Sequence, residues 1–528
     1  MPSLQERDRF VFEVKYAETM FRYVTDAAVM ADCMRAFDPD VDANRFAVEV
    51  IKVEEDVRAI TQTLSFGNVK IRYYKFKDID TFFDETAYLQ SEWWVDAINE
   101  NIPEDSAVNL ESNFLLRDKH ALFLTEAIVK AYKTRTVNLE NYIGWKIIKY
   151  LSYAASTKMF FCHYSPGAPP WMLTVERTID RCHGYVKLVM PYALLKLQMM
   201  GILDDATITF ANHVAERIRH TLELSYNASW LDHESAQVIV KRLRSIHQII
   251  GTASTLRTDA ALDVYYSHVP AMTHHSSFIE WLIEAHRAVA AHRKRFLRPP
   301  SDDSSFSVSR DDWELTGLSV GAFYIIVYHI IYVPGSILMP PFLIPRGPNS
   351  FNYGAIGKVI GHELTHAFDR EYLDINERGE EQQLVESTRF KRKLGEILDC
   401  LIVQANKMTR SAIAGNNSIS ETFADNAGVE AAYIAYRSMR EEDRQGGIAS
   451  LSPDQAFFAG SCYMFCQKNE TFSEHSSYLP HNVRCNQPCI NTQEFADAYG
   501  CPAGSPMRPS HRCDIHDLSK PPSLRKLR

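Results

Sequence analysis

Over residues 1 to about 297 the apolar side chains recur at the three-to-four-residue spacing that gathers them on one face of a helix, and this periodicity constrains the fold more than any other feature. Tyr142, Trp145, Ile148 and Leu151 share one such face. Ile239, Leu243, Ile246 and Ile250 share another, with Asp232 placed to cap the start of that helix. One strand-like segment, 69–76, interrupts the helices, and no internal repeat is visible. The pattern ends at 298–305, Arg-Pro-Pro-Ser-Asp-Asp-Ser-Ser, whose prolines and polar residues cannot continue a helix. Beyond it, 318–333 reads as a buried strand from its β-branched and aromatic content, followed by a Pro/Gly loop and a helix from about Tyr353. The expectation is a mainly α chain with small β elements: a helical lobe over 1–300, a second lobe over 301–516, and a basic tail over 517–528.

Charge and cysteine usage narrow the function classes. Against 66 acidic residues the 528-residue chain has 57 Lys and Arg, a net charge of −9. A nucleic-acid binder needs a basic face, so that class is a poor fit. The run at 318–333 is shorter than a membrane-spanning helix, carries His329 and runs into Pro334, Pro340 and Pro341; the first residues have no apolar signal core. Of ten cysteines, Cys462, Cys466, Cys485, Cys489, Cys501 and Cys513 cluster near the C-terminus, while Cys33, Cys162, Cys182 and Cys400 are scattered. Such clustering favours disulfides in an oxidising compartment over a zinc knuckle. Sequons at Asn227, Asn416 and Asn469 lean the same way, towards a glycoprotein.

The strongest chemical signal is His362-Glu363-Leu364-Thr365-His366. Residues four apart share a helix face, so both imidazoles can reach one metal ion, with Glu363 beside them as a general base. Catalytic zinc wants three protein ligands and one open position. Glu421, on a second apolar-flanked helix, offers the third. Asp425, one turn on, and Asp369, one turn past His366, can each accept the free ring N–H of a ligand histidine.

The segment NYGAIGKVIGHELTHAFD closely resembles the zinc helix of the neprilysin and endothelin-converting-enzyme family of zinc metallopeptidases. ETFADNAGVEAAYIAY downstream, GAFY and VPGSILMPPF upstream, and FADAYGCPAGSPMRPSHRC near the end resemble it too. Fainter similarity, ENYIGW and FRYVTDAAV, extends over nearly the whole chain. The resemblance implies a two-lobed, largely α-helical gluzincin-type ectodomain with one Zn2+ per chain, enclosing a chamber in which short peptides are hydrolysed. Members are membrane-anchored or secreted, which implies an extracellular or plasma-membrane location. Carried over, His362, His366 and Glu421 match the zinc ligands, Glu363 the catalytic base and Asp425 the acid behind a ligand histidine. Arg484 matches the arginine that grips a substrate carbonyl, and Ala322 a residue of the edge strand that pairs with substrate backbone. Ile337, Phe342 and Val359 match walls of the apolar pocket for the residue after the scissile bond; plain core packing explains them equally well.

The chain also departs from the family. Gly321 stands where an asparagine holds substrate backbone, and Tyr478 where a histidine stabilises the oxyanion, with His475 and His481 close by. His516 replaces a C-terminal tryptophan. The family's membrane anchor and cysteine-rich segment precede the region matched here, so the chain reads as N-terminally truncated. By resemblance Cys182, Cys466 and Cys501 pair with that segment, and only Cys400–Cys513 keeps both partners. Cys462, Cys485 and Cys489 could capture the orphans in local pairs. The rival reading, motivated by Gly321 and Tyr478, is a zinc-retaining but catalytically impaired peptide-binding homologue.

Overall fold

The computed structural model describes residues 30–515 with several segments left out, the longest being 65–72, 156–174, 252–257, 295–319 and 377–382. The motif FRYVTDAAV, the 298–305 boundary, Cys162, Asn469, His475, His516 and the basic tail therefore lie outside the described residues. In chain order the elements that frame the argument are helix α1 (Ala43–Thr63), strands β1 (Tyr73–Lys75) and β2 (Asn113–Leu115), helices α2 (Lys119–Tyr132), α3 (Thr136–Ala155), α4 (Val175–Val189), α5 (Asp205–Ala228) and α6 (His233–Ser245), strand β3 (His247–Gly251), helix α7 (Phe278–Lys294), strands β4 (Phe323–Ile325) and β5 (Ile330–Pro334), then helices α8 (Lys358–His366), α9 (Thr388–Thr409), α10 (Ile419–Arg437), α11 (Pro453–Tyr463) and α12 (His481–Asn491). The chain is mainly helical, as its periodicity implies.

Two compact units share these elements, Met1–Pro191 with Asp263–Val308, and Tyr192–Leu262 with Ser309–Arg528. This differs from a single boundary near residue 300. In the first unit, Ala43, Ala47 and Val50 of α1 pack on Trp145 of α3, with Tyr142 and Ile148 alongside. Tyr185 and Val189 of α4 pack on Leu282, Ala285 and Val289 of α7, with Leu151 against them. The face expected on 141–151 thus serves two clusters. At the strand-like 69–76, the described part is β1, paired antiparallel with β2, and Phe76 already opens a 3-10 turn.

Residues 192–262 join the second unit because α5, α6 and β3 cover the core of the chain's C-terminal half. Ala211, Val214, Ile218 and Leu222 of α5 and Ile239 and Leu243 of α6 cluster with Ile356, Ile360 and Leu364 and with Phe423 and Ala427 of α10. The helix capped by Asp232, whose carboxylate accepts from Ser235 N at 2.9 Å, ends at Ser245 rather than continuing through Ile250. Residues 247–251 instead form β3, paired in parallel with β5, because Ile249 and Ile250 gain a ladder partner that a helix would deny them. The expected single strand at 318–333 is likewise two strands: β4 pairs antiparallel with β5 around a turn where His329 takes a positive φ of 52°. The sheet order β3-β5-β4 leaves β4 at an edge. Buried Arg242 of α6 donates from Nε to Ala367 O at 2.5 Å, satisfying a carbonyl at the C-terminal end of α8.

Two disulfides join described residues, Cys400–Cys513 and Cys462–Cys485. Cys33 is also disulfide-bonded, while Cys182, Cys466, Cys489 and Cys501 are free thiols. The bridge between α11 and α12 thus pairs two clustered cysteines with each other, not with an orphan. Asn416 is exposed. Among the described residues no helix is long and apolar enough to cross a membrane.

Candidate metal centre

Every residue of α8 is buried, Lys358, His362, Glu363 and His366 among them. Ionisable groups on such a helix require partners from neighbouring elements. The nearest is α10, which crosses α8 backbone against backbone: a Cβ on Gly361 would stand 2.7 Å from Gly428 O, and one on Gly428 would stand 2.6 Å from His362 N. Only glycines permit that approach. The crossing brings Glu421, about two turns before Gly428, beside the two histidines.

His362 Nε2 and His366 Nε2 lie 3.1 Å apart. Glu421 Oε2 is 3.1 Å from the first and 3.8 Å from the second. These spacings approach the roughly 3.3 Å edge of a tetrahedron with zinc at its centre. Each imidazole has its other nitrogen engaged. His362 Nδ1–H donates to Asp425 Oδ1 at 3.1 Å, and His366 Nδ1–H to Asp369 Oδ2 at 2.8 Å. The Ser420 hydroxyl donates to that same Asp369 oxygen. Carboxylates on Nδ1 fix the tautomer that leaves the Nε2 lone pairs facing inward. Glu421 Oε2 makes no hydrogen bond among the described residues. Two lone pairs and an unsatisfied carboxylate oxygen converging on one point fit a zinc ion, and this is the one such group among the described residues.

Without a metal ion, the surrounding carboxylates attract positive charge to the histidine pair. Burial opposes charge on His362, yet the Asp425 and Glu421 carboxylates outweigh it and push the imidazole up to about 10. Burial raises the Glu363 carboxyl, with the two histidines pulling the other way, and the Tyr324 backbone N–H of β4 also favours its charged form. Asp425 is held well below the usual carboxylate range: burial would raise it, but Arg484 and Lys358 prevail.

Asp425 joins His362 to Arg484 through its two carboxylate oxygens. Arg484, on α12, donates from Nε to Oδ2 at 2.7 Å and from Nη2 to Oδ1 at 3.0 Å. The Arg484 guanidinium lies 4.9 Å from the Phe465 ring centre and 4.7 Å from that of Tyr478. Half-exposed Tyr478 feels the charges of Glu421 and Arg484. His481 opens α12 with its ring 5.4 Å from Phe465. Ala322 precedes the edge strand β4 and packs partly buried on the core, as does Phe342; Ile337 has no exposed surface and Val359 little. Gly321 has φ +150°, a conformation that side chains rarely adopt. The structure brings together His362, His366 and Glu421, which the sequence singles out as candidate ligands, with Asp425 and Asp369 behind the histidines. Sequence reasoning missed Lys358, the Gly361–Gly428 crossing, and the ring of Phe465.

Fold and donor set together are those of a mainly helical chain with a candidate zinc site. Residues 321–515 match the model of peptidase family M13. Neprilysin-1 of Trittame loki is 26% identical over 453 residues, 81% of this chain and 60% of that protein. Human endothelin-converting enzyme 1 is 24% identical over 502 residues, 88% of this chain and 61% of that protein. The chain thus spans about 60% of the length of these curated relatives. Among solved structures, the Mycobacterium tuberculosis zinc metalloprotease Zmp1 in complex with inhibitor superposes with a TM-score of 0.66 at 17% identity, over 94% of this chain and 75% of that one. PepO from Lactobacillus rhamnosis does so with 0.67 at 16% identity, over 96% and 77%.

Proposed function

We propose that the chain is the zinc-binding part of a metalloendopeptidase that hydrolyses short peptides. The observation that carries this reading is the convergence of His362 Nε2, His366 Nε2 and the unsatisfied Glu421 Oε2 beside a buried Glu363. Bound zinc supplies a Lewis acid that polarises the peptide carbonyl and favours ionisation of water. Glu363 takes the proton of the attacking water on its carboxylate and returns it to the leaving amine. Its raised pKa suits both directions of transfer. Asp425 and Asp369 hold the two imidazoles in the ligating tautomer.

Arg484 uses Nε and Nη2 on Asp425, and its remaining donors grip a substrate carbonyl near the cleaved bond. An extended peptide pairs with the open edge of β4 by way of Ala322. Ile337, Phe342 and Val359 wall the pocket for the residue after the cleaved bond. Tyr478, which lies against Arg484, donates to the developing oxyanion, with His475 and His481 as the other candidates. The two disulfides fit an extracellular or plasma-membrane setting. Gly321 and Tyr478 favour the rival, a zinc-retaining homologue that binds peptides without cleaving them. Zinc-loaded protein incubated with a mixed peptide library, and read by mass spectrometry with and without chelator, separates the two. Chelator-sensitive cleavage supports the peptidase; peptide binding without cleavage supports the rival.

A further inference from the structure

Lys358 has no part in the chemistry above, yet its side chain is 2% exposed. Its Nζ makes no hydrogen bond among the described residues. The Phe465 ring centre lies 4.0 Å away, and Asp425 Oδ1 lies 3.8 Å away, too far for a hydrogen bond. That oxygen already accepts from His362 Nδ1 at 3.1 Å and from Arg484 Nη2 at 3.0 Å. Arg484 already pairs with Asp425 through two hydrogen bonds. A second buried cation is therefore surplus to the stability of the pair, and an apolar side chain of similar length would fill the space at a smaller desolvation cost. Burial pushes the ammonium down to about 8, with Asp425 pulling the other way, so it stays charged at neutral pH.

We propose that Lys358 is a positioning residue that weakens zinc binding through Asp425, so that occupancy of the site responds to zinc supply. A carboxylate on Nδ1–H makes Nε2 a better donor to the metal. An ammonium beside Oδ1 draws charge from that carboxylate and lessens the push on His362. It also adds a positive charge to the buried cluster that must accept a dication. Both effects act in the same direction, and neither requires Lys358 to touch the metal. The inference rests on the zinc reading above.

The test titrates zinc into metal-free wild type, Lys358→Met and Lys358→Gln, in competition with a chromophoric chelator, with folding checked by circular dichroism. Partners behind a metal ligand change affinity by about 10–100-fold, so removing the charge should tighten zinc binding by about tenfold. Met and Gln should behave alike in this, because the effect belongs to the charge and not to packing. The metal-free Lys358→Met protein should melt no lower than wild type. Folded variants with unchanged or weaker zinc affinity, beside a wild type that binds zinc, overturn the inference alone. A folded wild type that takes up no zinc overturns both it and the peptidase reading.

Discussion

Replacing Gly361 by alanine should force apart the two helices that carry the zinc ligands. The new Cβ would lie 2.7 Å from the Gly428 carbonyl oxygen and 3.0 Å from its Cα, and backbone atoms cannot swing aside. Ordinary contact begins near 3.4 Å, so α8 and α10 must separate by about 0.7 Å at the crossing. Overpacking of this kind costs about 1–3 kcal/mol. The same movement carries Glu421 away from the histidine pair by more than the ~0.2 Å that metal–ligand distances tolerate. Zinc affinity should therefore fall by at least about tenfold, comparable to the loss of a partner behind a ligand. Urea unfolding of metal-free protein reads the first effect, and chelator competition reads the second. Gly395→Ala on α9 is the control, since nothing lies within 4 Å of its added Cβ; it should be neutral or stabilising by about 0.5–1 kcal/mol. Gly361→Ala with unchanged stability and zinc affinity would refute the backbone-to-backbone crossing.

Glu421→Ala should remove one of three zinc ligands and lower bound zinc well below one per chain by elemental analysis; full occupancy would take Glu421 out of the site. Mass spectrometry of the unreduced, digested protein after thiol alkylation should recover Cys400–Cys513 and Cys462–Cys485, with Cys182, Cys466, Cys489 and Cys501 alkylated once the protein is unfolded. A bridge involving Cys182 would contradict this pairing. Reducing Cys400–Cys513, which spans 113 residues of sequence, should cost about 4–5 kcal/mol on the chain-entropy account, and the shorter Cys462–Cys485 loop less.

The helical character of the chain and its candidate metal group were legible because both depend on local spacing. Trp145 reports its buried face through neighbours three and four residues away, and His362 and His366 share a face on any helix. Asp425 and Asp369 were legible for the same reason, each lying one turn from a ligand. What was not legible depends on distant partners. The segment 247–251 is short and apolar, compatible with helix or strand, and β5, about 80 residues away, decides between them. Residues 192–262 join the second unit through contacts that no composition shift announces. Lys358 reads as an ordinary solvent-facing lysine until every face of α8 is seen to be covered. Gly361 and Gly428 acquire meaning only as a pair, and Cys462 and Cys485 were two among several equivalent choices.

The central claim is that Glu363 moves the proton in a zinc-dependent peptide hydrolysis. Glu363→Gln keeps the shape of the side chain and removes its basicity. Zinc content and peptide cleavage measured on the same preparations of wild type and Glu363→Gln test the claim directly. The account predicts equal zinc in both, with turnover in the variant lower by at least about 100-fold, the least that a positioned general base contributes. Cleavage by Glu363→Gln at the wild-type rate would contradict it.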